Sequence, residues 1–329
     1  MNPKNMKTPL EILKEYNLSE KDVVFIKEPK ENKVWVIHDT KNKRRLVLKA
    51  VKKDNSSFPI LLHHQLSKIG FSVPNVFETT KGQVYVQTKK KFYYVSEYIN
   101  NLEPINEQQR IEGLAEFHSH AKFEELISFN EKNFFQNKEN FLKSYSDKLD
   151  EIKKWTSSVS SPTLKDIINE ITKIGLSVYH LMQTCDIEGY LQQTSKRNSI
   201  CHGDFNMNNA FTTENKEFLI IDFDHAYFGS PLDDFRFLMM SITRNSKNDP
   251  LSKLNPLFEN YFKVCSEDLP YKDIYKADSM FPHEFHKQVK QIVEQEKIKK
   301  SSNYQELLVQ LAEREKSKYE FLIKGSEVG

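Results

Sequence analysis

The chain has 329 residues, with 48 Lys and Arg against 46 Asp and Glu, a net charge of +2. A charged fraction of 29% beside an apolar fraction of 38% excludes a disordered polyelectrolyte, and the balanced total excludes a strongly basic nucleic-acid binder. The balance hides an asymmetry. Residues 1–95 carry 19 Lys and Arg against 9 Asp and Glu, a net of +10, and the remainder carries −8. Regions of opposite sign are expected to meet different partners. The three cysteines, Cys185, Cys201 and Cys265, are far apart with no Cys-x-x-Cys, which fits a reducing compartment. No apolar run approaches about 18 residues, and the N-terminus lacks the apolar core of a secretory signal. A cytoplasmic protein without a membrane or nucleic-acid partner is expected.

In chain order, Leu10, Leu13 and Tyr16 recur every three residues and predict a short amphipathic helix within the first 20 residues. Three β-like runs follow at Val23–Lys27, Val34–His38 and Leu46–Val51, broken by the turn chemistry of 29–33 (PKENK) and 40–43 (TKNK). Phe58–Ile69 reads as a helix ended by Gly70, and Gln83–Thr88 and Phe92–Tyr98 as two further strands. Three strands, a helix and two strands without regular alternation predict an antiparallel α+β region. After about residue 100 the pattern turns helical: Glu107–Ala121, Asn140–Trp155, Leu164–Leu181, Leu232–Thr243, Asn255–Val264 and one long stretch from about Glu284 to Ile323. Ser157–Pro162 reads as a loop, and only Ser199–Cys201, Ala210–Thr212 and Phe218–Asp222 read as short strands there.

The densest chemical signal is 200–224, ICHGDFNMNNAFTTENKEFLIIDFD. His202-Gly203-Asp204 is followed by Asn209 five residues later and by an apolar strand ending in Asp222, 18 residues after Asp204. Phosphoryl transfer from a nucleotide needs a carboxylate to orient a hydroxyl and take its proton, and oxygen donors to hold Mg²⁺ on the phosphates. Asp204 suits the first task; Asn209 and Asp222 suit the second. His63-His64 has no further His or Cys at ligand spacing and is not read as a metal site. The aromatic run Phe92-Tyr93-Tyr94 is read as sheet core.

This segment resembles the catalytic core of the aminoglycoside phosphotransferase/choline kinase superfamily, relatives of the protein kinases, and within it the spore-coat kinase-like (CotS-type) branch. Val47-Leu48-Lys49, Gly70-Phe71-Ser72-Val73-Pro74, Leu114-Ala115-Glu116-Phe117-His118 and Gly229-Ser230-Pro231-Leu232-Asp233-Asp234 are similar to further family motifs, in the family's order, over about 45–240. The resemblance implies a bilobal protein-kinase-like α+β fold. A small antiparallel N-terminal lobe with one helix (1–98) would bind nucleotide. A larger, mainly helical lobe (99–329) would hold the catalytic residues and the acceptor. It implies ATP and Mg²⁺ as cofactors. Lys49 would contact the phosphates, and Ser96, Glu97, Tyr98 and Ile99 would form the hinge that meets adenine. Asp204 would be the catalytic base, and Asn209 and Asp222 the metal ligands. His202 would anchor the catalytic loop, and Asp234 would hydrogen-bond to it. The implied activity is transfer of the γ-phosphate to a hydroxyl of a small molecule such as an amino sugar, aminoglycoside, nucleoside or amino alcohol. The alternative is a spore-coat-associated kinase-like protein with weak or no catalysis.

Two departures stand out. The turn 29–33 has no glycine, so a protein-kinase Gly-rich loop is absent. The helix glutamate that normally pairs with the ATP lysine would fall at Pro59, and no Asp or Glu lies between Asp54 and Gly70. Lys49 is therefore expected to lack its ion-pair partner, with His63 as a weaker substitute. Asp233, Glu259, Glu267 and Asp268 are candidates for recognising a cationic acceptor, and Tyr227, Phe228, Tyr261 and Phe262 for covering it.

Overall fold

The computed structural model describes residues 7–27, 34–52, 56–129, 137–159, 161–245, 254–294 and 302–324. The turn at 29–33 and Asp54 lie outside them. The α+β expectation holds: an antiparallel sheet occupies the N-terminal region and helices dominate the rest. By contacts the chain forms two compact units. One contains Met1–Gly113, His120–Glu131 and Ile200–Phe228; the other contains Leu114–Ser119, Lys132–Ser199 and Gly229–Gly329.

The first unit is built on the strands β1 (Val23–Lys27), β2 (Val34–Asp39), β3 (Arg44–Lys52), β4 (Val76–Phe77), β5 (Val86–Gln87) and β6 (Lys91–Glu97). Their order is β1-β2-β3-β6-β4, with β5 also on β6, and every pairing is antiparallel. Alternation sorts the side chains. Leu46, Leu48 and Ala50 of β3 join Trp35, Ile37, Tyr93 and Val95 in one core, covered by Ile12 and Leu13 of α1 (Lys7–Lys14) and by Tyr16 and Leu18 just beyond it. The opposite face buries Val51 and Tyr94 with Ile60 of α2 (Phe58–Lys68). Lys49 pairs in register with Tyr94 and so belongs to this second face. Pro59 at the first turn of α2 needs no intrahelical N–H partner, so the helix tolerates it.

Periodicity misplaces the shortest pieces. The expected strand at Gln83–Thr88 shrinks to Val86–Gln87, and β4 was not anticipated. A two-residue bridge offers no alternation to read. A second small sheet orders β10 (Phe218–Ile220), β9 (Ala210–Thr212) and β7 (Glu103–Pro104), and β8 (Ile200–Cys201) pairs with β11 (Tyr227–Phe228). The helix α3 (Glu107–His120) matches its expected range closely.

The second unit is helical: α4 (Lys138–Ser158), α5 (Pro162–Thr184), α6 (Ile187–Lys196), α7 (Pro231–Asn245), α8 (Leu254–Val264), α9 (Lys272–Met280), α10 (His283–Glu294) and α11 (Ser302–Lys324). Two expectations are corrected. The long C-terminal stretch is two helices, α10 and α11, and the loop expected at Ser157–Pro162 is shorter, because α4 runs on to Ser158 and α5 begins at Pro162, with Val159 and Ser161 extended between them. Side-chain caps from Asn137 to Asn140 N–H and from Ser161 to Leu164 N–H fix the starts of α4 and α5. Tyr190, Phe235, Tyr261 and Tyr275 pack edge-on or tilted with centroids 5.0–5.9 Å apart and fill the core. The buried Glu315 of α11 accepts from the N–H groups of Glu284 and Phe285, capping α10 from another helix.

Candidate functional site

The segment 200–224 folds on itself around Ile221. The Ile221 N–H donates to Asn209 O at 2.9 Å, and its carbonyl accepts from His202 Nε2 at 3.1 Å. One residue of backbone thus joins the loop carrying Asp204 and Asn209 to Asp222. His202 is fully buried against Phe205 and Phe223, and its Nδ1 accepts from the Asp204 N–H at 3.3 Å. Gly203 sits at φ +77°, and a Cβ there would lie 2.1 Å from His225 O, so only glycine closes this turn. The strand β10 is anchored by Ser72, whose hydroxyl donates to Phe218 O and whose carbonyl accepts from the Ile220 N–H at 3.0 Å. The Gly70–Pro74 segment, read from sequence only as similar to a family motif, therefore positions the chain entering Asp222.

Asp222 was expected as the last residue of a strand. The strand ends at Ile220, and Asp222 adopts φ +65°, a left-handed conformation that is uncommon for a non-glycine residue and is concentrated at functional sites. Its carboxylate Oδ1 lies 2.5 Å from Lys49 Nζ, and Asp224 Oδ1 lies 2.8 Å from the same nitrogen. This corrects the expectation for Lys49: it does have ion-pair partners, supplied from beyond β10 rather than from α2. Burial works against the Lys49 ammonium, but Tyr94, Asp224 and Asp222 outweigh it and raise its pKa. Burial likewise works against ionised Asp222, but the charge and hydrogen bond of Lys49 outweigh it and hold its pKa below the usual carboxylate range.

His63 does not substitute for the absent glutamate. Its Nε2 donates to Pro74 O at 2.8 Å, and its buried Nδ1 has no partner among the described residues. Burial, the largest influence, pushes its pKa down to about 3, so the ring is neutral. His64 instead faces Glu78 at 3.1 Å, and no group of three His, Cys, Asp or Glu among the described residues is arranged to hold a metal.

The remaining expected residues divide between the units. Ser96 is buried on the Lys49 face by its register with Val47. Glu97 turns to the other face, where Asn75 Nδ2 donates to it at 2.8 Å. The N–H groups of Glu97 and Tyr98 already donate to Asn75 O at 2.8 Å and Arg45 O at 3.2 Å. Asp234, at the start of α7, is buried with Oδ2 3.1 Å from His118 Nε2, and the other nitrogen of His118 lies 2.8 Å from the Tyr261 hydroxyl. This polar role of His118 was not legible in its helix, where it reads as one more packed residue.

The donor set of the first unit fits a hard cation and a polyphosphate. The Asp222 and Asp224 side chains are 42% and 30% exposed, so carboxylate oxygens are accessible. The Asn209 amide nitrogen is spent on Asp204, which leaves its oxygen as the atom that could ligate a cation. Such oxygen donors, few in number, suit Mg²⁺ that keeps phosphate and water ligands. The acceptor-recognition candidates fare differently. Arg236 holds Asp233 at 2.9 Å, and Arg197 holds Glu267 at 2.9 Å and Asp268 at 2.5 Å. Phe228, Tyr261 and Phe262 are buried core residues.

The sequence matches the model of the Ecdysteroid kinase-like family over residues 36–271. No curated protein matches it. An aminoglycoside phosphotransferase from Alicyclobacillus acidocaldarius is similar in structure, with a TM-score of 0.73, 17% identity and coverage of 97% of this chain and 96% of that one. A spectinomycin phosphotransferase in complex with ADP and spectinomycin follows at a TM-score of 0.53 and 14% identity, covering 96% of this chain and 97% of its own. These likenesses show a shared fold: mixed α+β of the aminoglycoside phosphotransferase and protein-kinase type.

Proposed function

Because the chain belongs to the Ecdysteroid kinase-like family, we propose that it is an ATP-dependent phosphotransferase acting on a hydroxyl of a small molecule. The observation that carries this reading is the convergence, within one unit, of the Lys49–Asp222 pair with the loop bearing Asp204 and Asn209. Residues 1–98 would carry the nucleotide and 99–329 the acceptor.

Bound Mg-ATP would supply the phosphoryl group and spread its charge over the metal. Lys49 binds phosphate oxygens through Nζ. Asp222 and Asn209 offer oxygens to the cation. The backbone of Ser96, Glu97, Tyr98 and Ile99 meets adenine, without the N–H groups of Glu97 and Tyr98, which are already bonded. Asp204 accepts the acceptor's hydroxyl proton as that oxygen bonds to phosphorus and the ADP oxygen leaves. His202 keeps the loop in place through Ile221.

For the acceptor, the family description points to ecdysteroids, and the similar structures to aminoglycosides and spectinomycin. A cationic acceptor would not draw freely on Asp233, Glu267 or Asp268, because arginines hold all three. The spore-coat branch and a spore-associated location rest on motif resemblance alone.

The test is an ADP-release screen with Mg-ATP over ecdysteroids, aminoglycosides, nucleosides and amino alcohols, paired with calorimetric nucleotide titration. Turnover of one acceptor class is expected, lost in Asp204→Ala, with weakened nucleotide binding in Lys49→Ala. Turnover that persists in Asp204→Ala, or equal nucleotide affinity with and without the Lys49 ammonium, would overturn the assignment.

A further inference from the structure

Within the catalytic loop, Asn206 makes contacts that the motif does not require. Its Nδ2 donates to Asp204 Oδ1 at 2.8 Å and to Asp204 O at 3.3 Å. Asn209 Nδ2 donates to the other carboxylate oxygen, Oδ2, at 3.0 Å, and to Asp204 O at 2.9 Å. Each carboxylate oxygen of Asp204 therefore receives one amide N–H, from two asparagines of its own loop. The orientation of the Asn206 amide is fixed independently. Its Oδ1 accepts the Asn208 N–H at 2.7 Å, and only an oxygen can occupy that position. The NH₂ group is left facing Asp204.

An aspartate carboxylate turns broadly about its last torsion, with a shallow two-fold preference. One donor on one oxygen leaves that rotation soft, whereas a donor on each oxygen pins the plane. Each oxygen has a second lone pair, so a pinned carboxylate still has an acceptor position for a substrate proton. We infer that Asn206 is a positioning residue that holds the Asp204 carboxylate in its proton-accepting orientation; this rests on the reading of Asp204 as the base. Asn209 then has two tasks, with its nitrogen on the base and its oxygen available to a cation, whereas Asn206 has only the base.

Two variants separate this role from simple turn formation. Asn206→Asp keeps the oxygen that accepts the Asn208 N–H and replaces the donor facing Asp204 with a second acceptor. Asn206→Leu removes both contacts. A positioning role predicts that Asn206→Asp lowers kcat by on the order of 10- to 100-fold, at least as much as Asn206→Leu, with KM for ATP within about twofold of wild type. A role confined to the turn predicts the reverse, with Asn206→Asp close to wild type. A crystal structure of each protein supplies a readout independent of turnover: Asp204 should occupy one orientation in wild type and a different or split one in Asn206→Asp. An unmoved Asp204 carboxylate in that variant would overturn the inference. A displaced carboxylate in an enzyme that phosphorylates no acceptor would uphold the positioning and remove the base assignment instead.

Discussion

Each unit contains a cluster of opposite charges, and the two clusters obey different rules. In the first unit Lys49 meets Asp222 and Asp224, whose carboxylates stay partly in water. In the second, Asp278 is fully buried and saturated. It accepts from Arg236 Nε at 2.9 Å, from His283 Nε2 at 3.1 Å and from the Tyr145 hydroxyl, while Arg236 also reaches Asp233. A buried charge is tolerable only when partners satisfy it completely, and such a network is a permanent part of the fold. A pair whose carboxylates reach water is easier to open than one sealed on both sides, so Lys49 can exchange them for another partner. The difference teaches which ion pair serves structure and which can serve a ligand.

The largest expected effect comes from breaking the buried cluster. Asp278→Ala leaves Arg236 buried without its main counter-charge and should cost about 3–5 kcal/mol in urea denaturation. A loss below about 1 kcal/mol would erase the contrast between the clusters. The exposed cluster should respond the other way. Asp222→Asn, which tolerates the left-handed backbone, should lower phosphotransfer by on the order of 10²- to 10³-fold. It should shift stability by no more than about 1 kcal/mol, because Lys49 retains Asp224 and the lost pair was partly solvated. Equal damage to stability in both variants would show that both clusters are structural.

The smallest effect is a slope against pH. Burial, ahead of the neighbouring charges, lowers the pKa of His283 well below its ordinary value, so the ring is neutral in the fold. The unfolded chain binds a proton near pH 6.5, and the folded chain does not. Stability is therefore fully present above about pH 6.5 and is lost as pH falls toward the folded value. Asp278, whose pKa is also lowered, adds a loss of the same sign below about pH 4. His283→Gln keeps a donor for Asp278. Between pH 6 and pH 5 its unfolding free energy should fall less steeply than that of wild type, by about 1 kcal/mol per pH unit. Parallel slopes would mean that His283 is not the group titrating.

Much of the fold was visible in the chain itself. The apolar alternation of β2 and β3, the helical periods of α3, α4, α5, α7 and α8, and the spacing of His202, Asp204, Asn209 and Asp222 are local patterns, readable without a fold. The shortest pieces that escaped had no local pattern. The bridges β4, β7 and β11 are two residues each. The helix α9 carries buried Asp278 and Ser279, polar residues that weaken an apolar stripe and become tolerable only with Arg236 and His283 as neighbours.

The site shows the same division. Sequence by itself determined the α+β class from its element patterns, and singled out the candidate base and candidate metal ligands from residue type and spacing along one segment. Tertiary structure alone decided where Lys49 finds its counter-charges, that His63 stays neutral and apart from them, and that Asn206 and Asn209 share the Asp204 carboxylate. The physical reason is that a charge or a hydrogen-bonding atom in a folded chain must be satisfied by whatever lies within about 3 Å. Spacing along the chain cannot specify that neighbour when, as for Lys49 and Asp222, 173 residues separate the partners.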